Sequence, residues 1–161
     1  MDMDALVESI HASGYKACIA VTGGGSGAVH ALLSHPGASR FVLEVQIPYT
    51  QRAMFDYLGE TIESACSAET ARTMAGRAFE RAVVFTLTEP VKIPILGIAC
   101  TAALQTTRER RGEDRAHIHI KSRDNELARK IEFQSSDRKR QEEELGRALL
   151  ESIAQFVGVV G

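Results

Sequence analysis

Residues 16–21 (KACIAV) form a short apolar run of the kind that suits a strand buried on both faces. The run leads directly into Thr22-Gly23-Gly24-Gly25-Ser26-Gly27, and a helical stretch, residues 28–35 (AVHALLSH), follows. Strand, glycine loop and helix in that order point to an α/β architecture. Glycine permits positive φ and lets a ligand or a neighbouring backbone come close. The helix start adds free N–H groups and the positive end of a dipole. Two uses of the loop are therefore open. It can hold a phosphate or carboxylate, or it can be a turn that only permits tight strand–helix packing. It is not a Walker A loop, because the Gly-Lys-Ser/Thr ending is absent. Residues 23–28 fit G-x-G-x-x-A, but Gly37-Ala38-Ser39-Arg40 stands where an acidic residue would read a ribose.

The rest of the chain continues the alternation. Residues 4–12 read as a short helix stopped by Gly14. Pro36-Gly37 ends the helix after the loop, and residues 41–47 predict a second strand with Phe41, Leu43, Val45 and Ile47 on one face. Residues 50–58 read as a helix with Gly59 as its stop. Ser67 is a predicted N-cap for a longer helix, in which Ala71, Met74, Ala75, Ala78, Phe79 and Ala82 recur at helical spacing. Residues 93–101 (IPILGIACT) form another apolar strand. Residues 115–122 and part of 127–133 alternate, as in a hairpin turning at Ser122-Arg123-Asp124-Asn125. The last helix starts near Ser135, Ser136 or Asp137 and buries Leu145, Leu149, Ile153 and Phe156. This order predicts an α/β fold, a three-layer α/β/α sandwich with a mixed sheet, as one domain over residues 1–161.

Composition narrows the function classes. The chain has 161 residues, 44% of them hydrophobic, enough for one domain with a real core. No run of about 18 apolar residues offers a membrane span, and the acidic N-terminus lacks the basic start of a secretory signal. The expectation is a cytoplasmic protein without a membrane partner. A net charge of −2, from 19 basic and 21 acidic residues, argues against a mainly electrostatic nucleic-acid binder. Residues 106–147 hold 12 basic and 10 acidic side chains and read as a solvated surface. Cys18, Cys66 and Cys100 are odd in number and far apart, which fits reduced thiols rather than disulfides or a zinc site.

Candidate chemistry is sparse. His117 and His119 share one strand face with Arg115 and Lys121. Two histidines at this spacing need a third ligand to hold a metal, with His30, His35 or Glu132 as candidates, and the adjacent cations oppose one. The pattern reads as a polar sheet face, and neither a metal nor a cofactor is expected. The available nucleophiles are Thr22, Ser26, Ser67, Thr101 and the cysteines, and none sits in a G-x-S-x-G elbow.

Several short motifs occur in a shared order with those of a known family. Val21-Thr22-Gly23-Gly24 resembles a Glu-Ser-Cys-Thr-Gly-Gly segment, and Pro36-Gly37-Ala38-Ser39 resembles a PGAS step. Pro48-Tyr49-Thr50 is similar to AYS/AYT, and Leu58-Gly59 to LLGV. Ala65-Cys66-Ser67-Ala68-Glu69-Thr70-Ala71 is similar to GAVSEEVA, and Leu96-Gly97-Ile98-Ala99-Cys100-Thr101-Ala102 to LGLAVTGIAG. Phe133 with Asp137-Arg138 resembles an F-x-G-D-R helix entry. In this order, over roughly residues 4–157, the chain resembles the C-terminal domain of competence-damage-inducible protein CinA. Active members of that family are nicotinamide mononucleotide deamidases, and relatives are commonly dimers. The resemblance implies the CinA C-terminal fold, a homodimer, and a pocket around Thr22, Gly23, Gly24, Tyr49, Thr50, Ser67, Thr101 and Arg138.

The departures from the family fall on its chemistry. Its members use a Ser before Cys-Thr-Gly-Gly and a Lys after the Tyr-Ser/Thr motif. Ala20 and Met54 occupy those positions here. Alanine cannot attack an amide carbon, and a thioether cannot take a proton. The family's GIAGP loop is replaced by Cys100-Thr101-Ala102-Ala103-Leu104.

Three functional expectations follow. The first is a domain that binds a phosphorylated small molecule, a nucleotide such as nicotinamide mononucleotide. Thr22, Gly23, Gly24, Gly25 and Ser26 would hold the phosphate, Tyr49 would meet the base or sugar, and Arg138, with Arg108, Arg110 or Arg111, would add charge-assisted contacts. Thr50, Ser67 and Thr101 would complete that pocket. The second is an amidohydrolase with a relocated nucleophile, Ser26, Thr22 or Cys100, and His30 or His117 as base. The third is a structural or partner-binding domain, with its pocket filled by Met54 and Leu104 and residues 106–147 as the interaction surface.

Overall fold

The computed structural model describes residues 1–107 and 112–159. α1 (Met3–His11) starts at Asp2, whose carboxylate accepts a hydrogen bond from the Ala5 amide. β1 (Lys16–Thr22) leads through the glycine loop into α2 (Ser26–Ser34), which begins two residues earlier than its apolar pattern predicts. A short 3₁₀ turn, Ala38–Arg40, precedes β2 (Val42–Gln46). Thr50 and Ser67 cap α3 (Gln51–Leu58) and α4 (Ala68–Phe85) by accepting from the amides of Ala53 and Thr70. β3 (Ile95–Ala103), β4 (Arg115–Lys121) and β5 (Glu126–Glu132) follow, and α5 (Arg138–Phe156) starts at the Asp137 cap. The β4–β5 turn closes through Ser122 and Asn125, as the sequence predicts.

The five strands form one mixed sheet in the order β2-β1-β3-β4-β5. The first three are parallel, and β4 runs antiparallel to both of its neighbours, β3 and β5. α1, α2 and α5 cover one face over Ile19, Val21, Ile98, Cys100 and Ile118. α3 and α4 cover the other face over Cys18, Ala20, Ile95 and Ala99. The chain is thus an α/β sandwich of three layers. α4 lies directly on β3 at Gly97, where a Cβ would stand 2.1 Å from the carbonyl oxygen of Ala75. Among the described residues, no helix is long and apolar enough to cross a membrane.

β2 departs from its predicted pattern. Ala17 pairs with Val42 but Cys18 pairs with Glu44, so two β2 residues pass for one of β1. Such a bulge re-aims the side chains beyond it. Phe41, Val42 and Val45 pack in the α1–α2–α5 core, Leu43 turns to the α4 side, and Ile47 is exposed. The predicted single face is therefore split. The extra residue also carries Glu44 to α4, where Arg81 meets its carboxylate. In α5, Leu145, Leu149 and Ile153 are buried, whereas Phe156 is only partly so.

Candidate functional site

The carboxyl ends of β1 and β3 lie side by side at the point where strand order reverses, the usual ligand position in open parallel sheets. Thr22 and Thr101 are paired there at the ends of the two strands. From Thr22 the chain turns across the end of β3. Gly23 has φ +76°, and a Cβ on it would meet the Ala102 carbonyl oxygen at 2.0 Å. A Cβ on Gly24 would meet Ala102, Leu104 and Leu145 at 2.9, 3.0 and 3.1 Å. These two glycines let the loop lie flat on β3 and α5.

The next part of the loop behaves differently. Gly25, at φ +103°, is the N-cap of α2 and offers no side-chain cap. The amides of Gly25 and Gly27 instead donate to Oε1 of Glu142 on α5, at 2.7 and 3.1 Å. Both uses left open by the sequence are present, in successive residues. Gly23 and Gly24 serve close packing, while Gly25 and Gly27 hold an anion that the chain itself supplies. Glu142 escaped the sequence reading because its partner lies 117 positions away. The available signal was an acid one helical turn after Arg138.

Arg138 and Tyr49, far apart in sequence, come together at the start of α5, one helical turn before Glu142. The Arg138 guanidinium donates to the Gln105 carbonyl at 2.9 Å and to the Tyr49 hydroxyl at 3.4 Å. Tyr49 is 64% exposed, so its ring is open to a ligand. Gln141, which the sequence reading missed, fastens the same corner. It is fully buried; its Oε1 accepts from the Gln105 amide at 2.7 Å. Its Nε2 donates to Asp114 and to the Ser135 carbonyl, both at 2.9 Å. A buried amide with its bonds met in this way fixes the loop after β3 to the start of α5.

The remaining pocket candidates serve local structure. Thr50 and Ser67 are helix caps. Thr101 is buried, and its hydroxyl donates to the Ala65 carbonyl, tying β3 to the loop before α4. Thr22 is buried and Ser26 is exposed at the first residue of α2. Cys100 is fully buried, and burial pushes its thiol far above the ordinary range, which removes the thiolate needed for attack. Among the described residues, no hydrogen bond joins Thr22, Ser26 or Cys100 to His30 or His117. Burial, and then Arg115 and Lys130, hold His117 below its usual pKa. His119 is bonded to Glu126 at 2.8 Å. No group of three metal-ligating side chains forms among the described residues. Arg108, Arg110 and Arg111 lie outside the described residues.

Ala20 and Met54 meet the α3–α4 side of the sheet. They share an apolar cluster with Tyr57, Met74, Ala75 and Ala99, and both are sealed from solvent. A groove of about 500 Å³ runs along the outer side of α3, past Gln51, Arg52, Phe55 and Asp56. None of the candidate site residues lines it.

No family model matches the chain, and no curated protein matches its sequence. Solved structures do match its fold. The competence or damage-inducible protein of Enterobacter asburiae aligns with a TM-score of 0.75 at 16% identity, covering 100% of this chain and 99% of that one. The competence/damage-inducible protein CihA of Agrobacterium tumefaciens gives 0.75 at 22% identity, covering 96% and 95%. A CinA superfamily protein of Klebsiella pneumoniae gives 0.74 at 12% identity, covering 99% and 100%. With a five-stranded mixed sheet between two helical layers and an end-to-end match to these structures, the chain has the CinA-like fold.

Proposed function

We propose that the chain is a single CinA-like domain that binds a phosphorylated small molecule, a nucleotide such as nicotinamide mononucleotide, without hydrolysing it. The observation that carries this reading is the sealing of Ala20 and Met54, which the resemblance puts at the family's Ser and Lys positions, inside one buried apolar cluster. Neither side chain can supply a nucleophile or a base. Ligand binding is supported by the neighbouring geometry. The Gly25 and Gly27 amides already hold one carboxylate oxygen. Arg138, one helical turn before Glu142 on α5, has no carboxylate partner among the described residues. Tyr49 offers an exposed ring beside it. The phosphate would take the amides and the guanidinium, and the base or sugar would lie on Tyr49.

Isothermal titration with nicotinamide mononucleotide, together with an ammonia-release assay, tests the reading. Binding without ammonia release is expected. Absence of heat at millimolar ligand with folded protein overturns it, provided that folded Glu142→Ala, which leaves the loop amides free, is silent too. Ammonia release that is lost in Ser26→Ala, Thr22→Ala or Cys100→Ala would instead support a relocated nucleophile. A ligand-free structural or partner-binding domain is the second reading. It is favoured by the burial of Met54 and Leu104 and by the carboxylate already seated on the loop. A homodimer is the state that the family resemblance implies, a cytoplasmic location is the expectation from composition, and sedimentation velocity tests the dimer.

A further inference from the structure

The glycine loop is occupied by the protein itself, and the occupant has the chemistry of a ligand. Oε1 of Glu142 receives both the Gly25 and the Gly27 amide. A phosphate oxygen would use the same two donors with the same sign of charge. Glu142 is half-buried and lies four residues after Arg138 on α5, which puts the two side chains on one face of that helix. The same stretch of helix thus presents a guanidinium that would attract an anion and a carboxylate that competes with it. Gln141 fixes the backbone between them by bonding Gln105, Asp114 and Ser135. The glutamate backbone is thereby held opposite the loop, and a change of its side-chain rotamer would release the two amides.

We infer that Glu142 is an autoinhibitory anion, seated on the Gly25 and Gly27 amides and displaced by the phosphate of the incoming ligand. The inference rests on the phosphate-binding reading above and adds its regulation. A tethered carboxylate lowers the fraction of binding-competent protein, and apparent affinity falls by that fraction. It also sets selectivity. A ligand with only a carboxylate gains little over Glu142, whereas a phosphate near neutral pH carries about −1.5 to −2 charge and three acceptor oxygens.

Isothermal titration of wild type, Glu142→Gln and Glu142→Ala with nicotinamide mononucleotide, and with inorganic phosphate alone, tests the inference. The expected result is affinity at least about tenfold higher in Glu142→Ala and an intermediate gain in Glu142→Gln, with unchanged far-ultraviolet circular dichroism. Equal affinity in all three proteins overturns the autoinhibition and leaves phosphate binding standing. Failure of all three folded proteins to bind either probe at millimolar concentration overturns the phosphate reading, and the autoinhibition with it. Should Glu142→Ala not fold, Glu142→Gln keeps the side-chain volume, and its comparison with wild type decides alone.

Discussion

Met54 of α3 and Ala20 of β1 belong to one dry cluster at the α3–α4 face of the sheet, 1% and 0% exposed. The cluster fixes what a reconstructed Ser–Lys pair would cost. A lysine at position 54 would bring an ammonium into the buried apolar surroundings of Tyr57, Met74, Ala75 and Ala99, while the nearby Glu44 carboxylate is already paired with Arg81. An unpaired buried charge costs several kcal/mol after relaxation. Met54→Lys is expected to lose about 3 kcal/mol or more in urea unfolding at pH 7, while Met54→Leu stays within about 1.5 kcal/mol of wild type. Ala20→Ser adds one buried hydroxyl and is expected to cost about 1–3 kcal/mol. Wild-type stability in Met54→Lys would show that the cluster is wetter than its burial indicates.

Two glycines, one on β3 beneath α4 and one within α4, predict opposite outcomes. A Cβ on Gly97 of β3 would stand 2.1 Å from the Ala75 oxygen and 2.4 Å from the Phe79 nitrogen, both backbone atoms that cannot turn aside. Gly97→Ala must push α4 off the sheet, and a loss of roughly 3 kcal/mol or unfolding is expected, at the upper end of overpacking costs. Gly76, inside α4, has nothing within 4 Å of its added Cβ. Gly76→Ala is expected to gain about 0.5–1 kcal/mol from helix propensity. Thermal melts of the two variants beside wild type check both signs, and a stable Gly97→Ala would contradict the close approach.

The parts of this fold that the sequence makes legible are those written into local spacing. The run from Lys16 into the glycine loop gives β1 and α2, Ser67 announces α4, and the alternation of Arg115, His117 and His119 against Ile118 and Ile120 gives β4 with one polar face, which the register with β3 turns to the α4 side. The split face of β2 is not legible, because a bulge is a relation of register between β1 and β2 and leaves no mark on residues 41–47 taken alone. The site divides in the same way. Tyr49 and Arg138 were legible from the resemblance as expected contacts, and Ala20 and Met54 as expected departures. Glu142 and Gln141 were not, since each acquires its role from partners that only the packing of α5 brings near. Thr50 and Ser67, read as ligand contacts from the resemblance, also carry the local capping signal that accounts for them.

His11 predicts acid sensitivity in the α1 layer. Its imidazole is buried, and neither ring nitrogen finds a well-formed hydrogen bond. Burial lowers its pKa. The carbonyls of Pro36 and Leu32 pull it up in part, and Arg40 and His35 add to the fall. The folded protein therefore takes up this proton at lower pH than the unfolded chain, whose histidine titrates near about 6.5. The resulting stability is complete above that pH and is lost as pH falls towards the folded pKa, at no more than about 1.4 kcal/mol per pH unit. Urea unfolding of wild type and His11→Leu from pH 7.5 to 5 checks this. The wild-type loss should exceed that of the variant, and parallel curves would remove His11 as the cause.

Glu44 and Arg81 predict a second pH dependence in a lower window. The guanidinium meets both carboxylate oxygens, and this pairing is the main reason that the Glu44 pKa is lowered, with Gln46 helping and burial opposing. The side chains are 18% and 27% exposed, so screening is incomplete, and the pair is expected to be worth about 1–2 kcal/mol, between exposed and buried ion pairs. Because the folded pKa lies below the unfolded one, this stability is present above about pH 4.3 and is lost as pH falls through the folded value. Arg81→Ala should therefore be less stable than wild type at pH 7, with the gap closing in acid. Glu44→Gln should lose less, since it keeps the shape of the side chain and leaves Arg81 its stacking on Phe85 at 5.2 Å. Urea midpoints for the three proteins between pH 7 and 2.5 measure the gap. A difference that stays constant across that range would assign the loss to Arg81 packing rather than to its charge.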